Sequence, residues 1–98
     1  MSIPIEAAGS LVNYSFTTEP GDINFEITFV PLDGKESEVL KQHRVPSHVE
    51  PITGIFKANH IGTAVLIWDN SFSWFTPKNL AYSIEVKQVL NHSPTRII

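Results

Sequence analysis

Three stretches of this chain set large apolar side chains against smaller or polar ones in regular alternation. A period of two admits only extended backbone with one buried and one wet face. Val12, Tyr14 and Phe16 alternate with Asn13, Ser15 and Thr17. Ile23, Phe25, Ile27 and Phe29 alternate with Asn24, Glu26 and Thr28. Leu80, Tyr82, Ile84 and Val86 alternate with Ala81, Ser83, Glu85 and Lys87. No segment carries a 3.6-residue repeat. Composition agrees: eleven isoleucines, eight valines and seven threonines favour strands, and seven prolines interrupt any long helix.

The intervening segments complete the pattern. Glu19-Pro20-Gly21-Asp22 and Pro31-Leu32-Asp33-Gly34-Lys35 place proline and glycine where turns need them. Residues 39–45 have strand length but carry Lys41, Gln42, His43 and Arg44, which predicts an exposed edge strand. Residues 46–51 form a break bounded by two prolines. Residues 52–59 predict a short strand with Ile52, Gly54, Phe56 and Ala58 on one face. Thr63 to Trp68 is apolar on both faces, as expected of a strand at the centre of a fold. Residues 72–76 read as a loop or short strand. Together these predict an all-β chain, an antiparallel sandwich or barrel.

Ninety-eight residues allow one domain. About two thirds of the open-chain surface can be buried at this size, enough for one modest core. With 42% hydrophobic and 17% charged residues the chain is not a disordered tail. The absence of cysteine excludes disulfides, thiolate metal sites and thiol nucleophiles. The start lacks the basic and apolar regions of a secretory signal, and no apolar run reaches the length of a membrane span. A net charge of −3 with two arginines argues against nucleic acid as a partner. The expected organisation is one domain over residues 3–90 and a flexible tail over 91–98.

No chemistry-bearing motif emerges. His43, His48, His60 and His92 stand outside any nucleophile motif, and His43 with His48 lacks a third metal ligand. Glu36 and Glu38 sit beside a turn. Asp69, directly after the most apolar segment, reads as a turn residue rather than a general base, since no partner acid or base accompanies it. The expectation is therefore a non-enzyme with no cofactor, no metal and no catalytic residue. The aromatic pair Trp74-Phe75 is different. Adjacent residues in extended chain point to opposite faces, so one of the two is expected at the surface.

One stretch resembles a known family. Gly62-Thr63-Ala64-Val65-Leu66-Ile67-Trp68-Asp69-Asn70-Ser71-Phe72-Ser73-Trp74, followed by Lys78-Asn79-Leu80-Ala81-Tyr82-Ser83-Ile84-Glu85-Val86, is similar to the end of a GOLD (Golgi dynamics) domain. Residues 12–16 and 22–27 are similar to that family's opening strands. The resemblance implies a jelly-roll-like β-sandwich of two antiparallel sheets that binds proteins without catalysis. The receptor branch of the family carries a disulfide, whereas this chain has Ile67 where cysteine is frequent and no cysteine anywhere. It therefore looks like the cytosolic branch, as in CRAL-TRIO and patellin-type lipid-transfer proteins and Golgi adaptors.

The resulting expectation is an adaptor domain in Golgi or endosomal trafficking, cytoplasmic and peripheral to those membranes. A membrane-surface or lipid-binding role beside a lipid-transfer module is the alternative. Trp74, Phe75, Lys78, Lys41 and His43 are the candidate partner-binding residues, through a sheet edge or the aromatic loop. Trp68, Asp69, Asn70 and Phe72 are read as a folding motif, in which Asn70 takes a left-handed backbone and Phe72 returns to cap the core.

Overall fold

The computed structural model describes residues 1–72 and 76–87. Seven strands run in chain order: β1 (Ser2–Ile5), β2 (Ser10–Glu19), β3 (Ile23–Pro31), β4 (Glu38–Val45), β5 (Ile52–Ala58), β6 (Gly62–Asp69) and β7 (Asn79–Lys87). They form a four-stranded sheet in the order β1-β6-β3-β4 and a three-stranded sheet in the order β5-β2-β7. Every paired neighbour is antiparallel. The fold is all-β and consistent with the expected sandwich. Only the β3–β4 connection stays within one sheet; the other five cross between sheets.

The alternation decides which faces meet. Val12, Tyr14, Phe16 and Thr18 of β2 are buried, as are Ile23, Phe25, Ile27 and Phe29 of β3. Ala64 and Leu66 of β6 join them, with Ile3 and Ile5 of β1. β2 is central to its sheet, and β3 and β6 are the inner pair of the other, so the core lies between these strands. Four aromatic rings interleave there. Phe16 and Phe25 stand 4.6 Å apart between centroids, Tyr14 meets Phe25 at 5.3 Å, and Trp68 meets Phe16 edge-on at 5.6 Å.

The inner face of β5 explains a glycine. Gly54 pairs with Tyr14 across the β2–β5 ladder. A Cβ at Gly54 would lie less than 3.0 Å from three atoms of the Tyr14 phenol. The missing side chain is the space the tyrosine ring occupies. At one end of the sandwich, Thr18 Oγ1 donates to the Gly21 carbonyl at 2.7 Å and accepts from the Ser47 hydroxyl. That ties the turn after β2 to the turn after β4, and both hydroxyl residues are buried.

Several expectations change. β1 is a strand that the sequence reading passed over. β6 is central, but its outer face is open: Ile67 is 40% exposed. The regular alternation of β7 produces only partial burial, with Ile84 and Val86 packed against the core. β7 lies at the end of its sheet, and Tyr82 on its inward phase remains 53% exposed. β4 takes the predicted edge position at the end of its sheet.

Gly54→Val is expected to lower unfolding free energy by about 2–3 kcal/mol through overpacking. Combining it with Tyr14→Leu should show the two losses to be less than additive in urea unfolding, because the second change vacates the contested space. Full additivity would mean that the ring and the glycine are not matched.

Candidate functional site

The motif Trp68, Asp69, Asn70 and Phe72 closes β6 and begins the link to β7. Trp68 belongs to the inward phase of β6 and packs against the core. It also stacks on Tyr82 of β7 at 5.6 Å and 27°, which connects the two sheets near their rim. Asp69 falls on the outer phase and is exposed. Its Oδ1 accepts the Ser71 amide at 2.8 Å, closing a local turn. That hydrogen bond holds its carboxyl below the ordinary 3.8, because it favours the charged form. Asn70 Nδ2 donates to the Thr76 carbonyl at 2.8 Å and spans the loop. Trp68 Nε1 and Asn70 Oδ1 are shielded from solvent and meet no partner among the described residues.

Two details of the expected motif are corrected. Among the described residues, no residue other than glycine has positive φ, so Asn70 does not supply a left-handed turn. It acts through its side-chain amide instead. Phe72 does not cap the core. Its ring meets two cations: the Arg44 guanidinium sits 3.7 Å from the ring centroid and the Lys78 ammonium 4.4 Å. An aromatic face carries negative potential, so one ring can hold two positive groups that would otherwise repel.

Both cations are tied to the turn after β2. Arg44 Nε approaches Asp22 Oδ2 at 2.9 Å. Lys78 Nζ donates to the Asp22 carbonyl, and its stem passes over Gly21. Gly21 has φ +83, a backbone that favours glycine, and a Cβ there would sit 3.5 Å from Lys78 Cε. The cluster therefore clamps three segments that are distant in sequence: the β2–β3 turn, the end of β4 and the β6–β7 link. Lys78, a candidate partner-binding residue, makes these contacts within the chain.

The remaining candidates separate. Lys41 pairs with Ile27 in the β3–β4 ladder and so shares its inward phase. Its ammonium donates to the Tyr14 hydroxyl at 3.2 Å. His43 pairs with Phe25 and is exposed on the edge strand. Trp74 and Phe75 lie outside the described residues. The sequence reading missed Asp22, Arg44 and Tyr14, since each acquires its role through a partner at least 22 residues away. Beside this edge, Asn24, Glu26, Gln42, Ile67 and Asp69 line a concavity of about 380 Å³. Glu26 is already engaged by Thr28 Oγ1 at 2.7 Å and Gln42 Nε2 at 2.9 Å.

Two outcomes follow from the clamp and the turn. In a double-mutant cycle, Phe72→Leu and Lys78→Met should couple by about 0.5–1 kcal/mol, the range of a partly exposed cation–π contact; zero coupling in thermal unfolding would dissolve the clamp. The folded carboxyl of Asp69 titrates below its unfolded value. Its contribution to stability is therefore full above pH 3.8 and lost as pH falls through the lower folded value. Asp69→Asn should remove that limb of the acid profile.

No family model matches the chain. It is similar to a segment of protein ctg-1 of Caenorhabditis elegans, 30% identical over 86 residues that make up 82% of this chain and 22% of that protein. It is also similar to a segment of FYVE and coiled-coil domain-containing protein 1. The human protein is 33% identical over 89 residues, 86% of this chain and 6% of the relative. The mouse protein is 31% identical over 91 residues, 88% of this chain and 6% of the relative. This chain thus spans between a twentieth and a quarter of the relatives it matches, and a similar sequence lies within each of these longer proteins.

Proposed function

We propose that the chain is a non-catalytic protein-interaction domain of the GOLD type, an adaptor that works in Golgi or endosomal trafficking on the cytoplasmic side of those membranes. The observation that carries this reading is the β4 edge. β4 ends the four-stranded sheet, and among the described residues nothing pairs with its outer side. Six of its eight residues are exposed, including Val39 at 56%. An extended partner segment can add to such an edge, with main-chain hydrogen bonds supplying affinity and side chains such as Val39, Leu40 and His43 supplying selectivity. The exposed charge along β4 guards the same edge against indiscriminate pairing.

Two further observations support the reading. The Trp68-Asp69-Asn70-Phe72 motif on which the GOLD resemblance rests is occupied with internal contacts, as suits a folding motif. The relatives carry this sequence as a small fraction of much longer chains, as suits a module that recruits or positions other domains. A FYVE and coiled-coil domain protein in that set is compatible with a trafficking adaptor. Of the residues named for the lipid-binding alternative, Trp74, Phe75 and Lys78, Lys78 donates to the Asp22 carbonyl and faces the Phe72 ring.

The test is affinity capture from cytosolic and detergent-solubilised membrane extracts. The wild type is compared with Val39→Lys/Leu40→Lys and with Trp74→Ala. A specific protein retained by wild type and lost from the folded β4 variant is the expected result. Loss only from Trp74→Ala would move the contact to the β6–β7 loop. Recovery of lipid alone, or identical captures by all three forms, would overturn the adaptor reading.

A further inference from the structure

β4 carries a β-bulge. Its ladder with β3 runs in step from Val45 to Lys41 and then shifts. Lys41 faces Ile27, Val39 faces Thr28 and Glu38 faces Phe29, which leaves Leu40 as the extra residue. In a regular strand Glu38 and Lys41, three positions apart, would point to opposite faces. The bulge brings them to one phase, because their partners Phe29 and Ile27 both belong to the buried face of β3. Between them stand two exposed aliphatic residues, Val39 at 56% and Leu40 at 40%. Four consecutive residues of the edge thus read acid, aliphatic, aliphatic, base. Both charges are available. Glu38 is exposed, and its carboxylate meets no cation or hydrogen-bond donor among the described residues. Lys41 Nζ donates to the Tyr14 hydroxyl, a neutral group, and an ammonium carries three protons to donate.

The order Glu38-Val39-Leu40-Lys41 is complementary to itself. Laid antiparallel on a second copy, it sets Glu38 opposite Lys41 and Val39 opposite Leu40, and a two-fold axis repeats each pair. Residues opposite one another in paired strands share a face, and the bulge has already placed Glu38 and Lys41 on the same one. Other arrangements lose this match. In-register parallel pairing sets Glu38 against Glu38 and Lys41 against Lys41. A slip of one residue in the antiparallel pair sets Glu38 against Leu40 or Gln42. We propose that β4 pairs antiparallel with β4 of a second copy of this chain, joining two four-stranded sheets into one across a two-fold axis. The inference rests on the reading of β4 as an edge open to strand addition. It adds a regulation to that edge, because self-pairing and capture of another protein compete for one strand.

Sedimentation velocity of the full chain at concentrations up to about 500 µM tests the proposal, a range that reveals submillimolar dissociation constants. The wild type is expected to form a dimer. Glu38→Lys alone and Lys41→Glu alone should each weaken it by about tenfold or more, because each sets like charges opposite one another twice. An equimolar mixture of the two variants should dimerise again, since Glu38 of one copy then meets Lys41 of the other and the introduced pair meets as well. Added salt should narrow the difference between wild type and single variants. An unchanged melting temperature checks each fold, and Glu38→Lys, on an exposed side chain, serves by itself if Lys41→Glu melts lower. A wild type that stays monomeric, single variants that dimerise as the wild type does, or a mixture no more associated than its components would overturn the proposal. Capture from extracts keeps the two readings apart. A monomeric wild type that captures a protein through β4 removes self-pairing alone, and a dimer whose dissociated chains capture nothing removes the adaptor reading alone.

Discussion

Contact between Phe16 and Phe25 joins the two sheets through their inner strands. Each ring belongs to a strand whose alternate residues are buried along nearly its whole length. Tyr14 and Trp68 extend this contact in opposite directions. The Tyr14 hydroxyl then reaches the β4 rim through Lys41, and Trp68 reaches the β7 rim through Tyr82. A modest domain has little area to bury, and aromatic rings supply much of it per residue. The polar rims, the glycine under Tyr14 and the placement of both edges all depend on where these rings sit.

The sheet-forming logic was legible in the residues themselves. Alternation in β2 and β3 needs no tertiary knowledge, because each strand buries the face its apolar residues define. β4 was legible for the opposite reason, since a run of charge cannot lie inside. β1 was not legible: four residues with a proline offer too short a pattern, and the strand forms because β6 provides a ladder for it. β7 shows where periodicity stops being sufficient. Its apolar phase is regular, yet a strand at the end of a three-stranded sheet has too little opposite it to bury Tyr82. Alternation states which face turns inward and leaves open how much lies across from it.

The motif at the end of β6 separates local from distant information. The Asp69–Ser71 hydrogen bond spans two residues and was legible as a turn. The surroundings of Phe72 were not. Its two cations come from positions 44 and 78, and Asp22, which holds them both, comes from another turn. An aromatic residue just after an apolar strand looks like core, and here it serves as a platform for charge. Lys78 shows the same: nothing beside it in sequence indicates that its ammonium donates to a carbonyl 56 residues away. The outer side of β4, by contrast, meets no other strand among the described residues.

The alternation of sheets along the chain has a consequence for synthesis. β1 finds its ladder only in β6, where Ser2 faces Val65 and Ile5 faces Gly62. A ribosome must therefore deliver the chain through Asp69 before its first strand has a neighbour. β2 gains one side from β5 and the other only from β7. Apart from the β3–β4 hairpin, the strands of such a chain pair late, with apolar faces waiting in the open during translation. A module of this topology, embedded in a long polypeptide, sets a minimum emerged length below which neighbouring segments share space with an unfinished sheet.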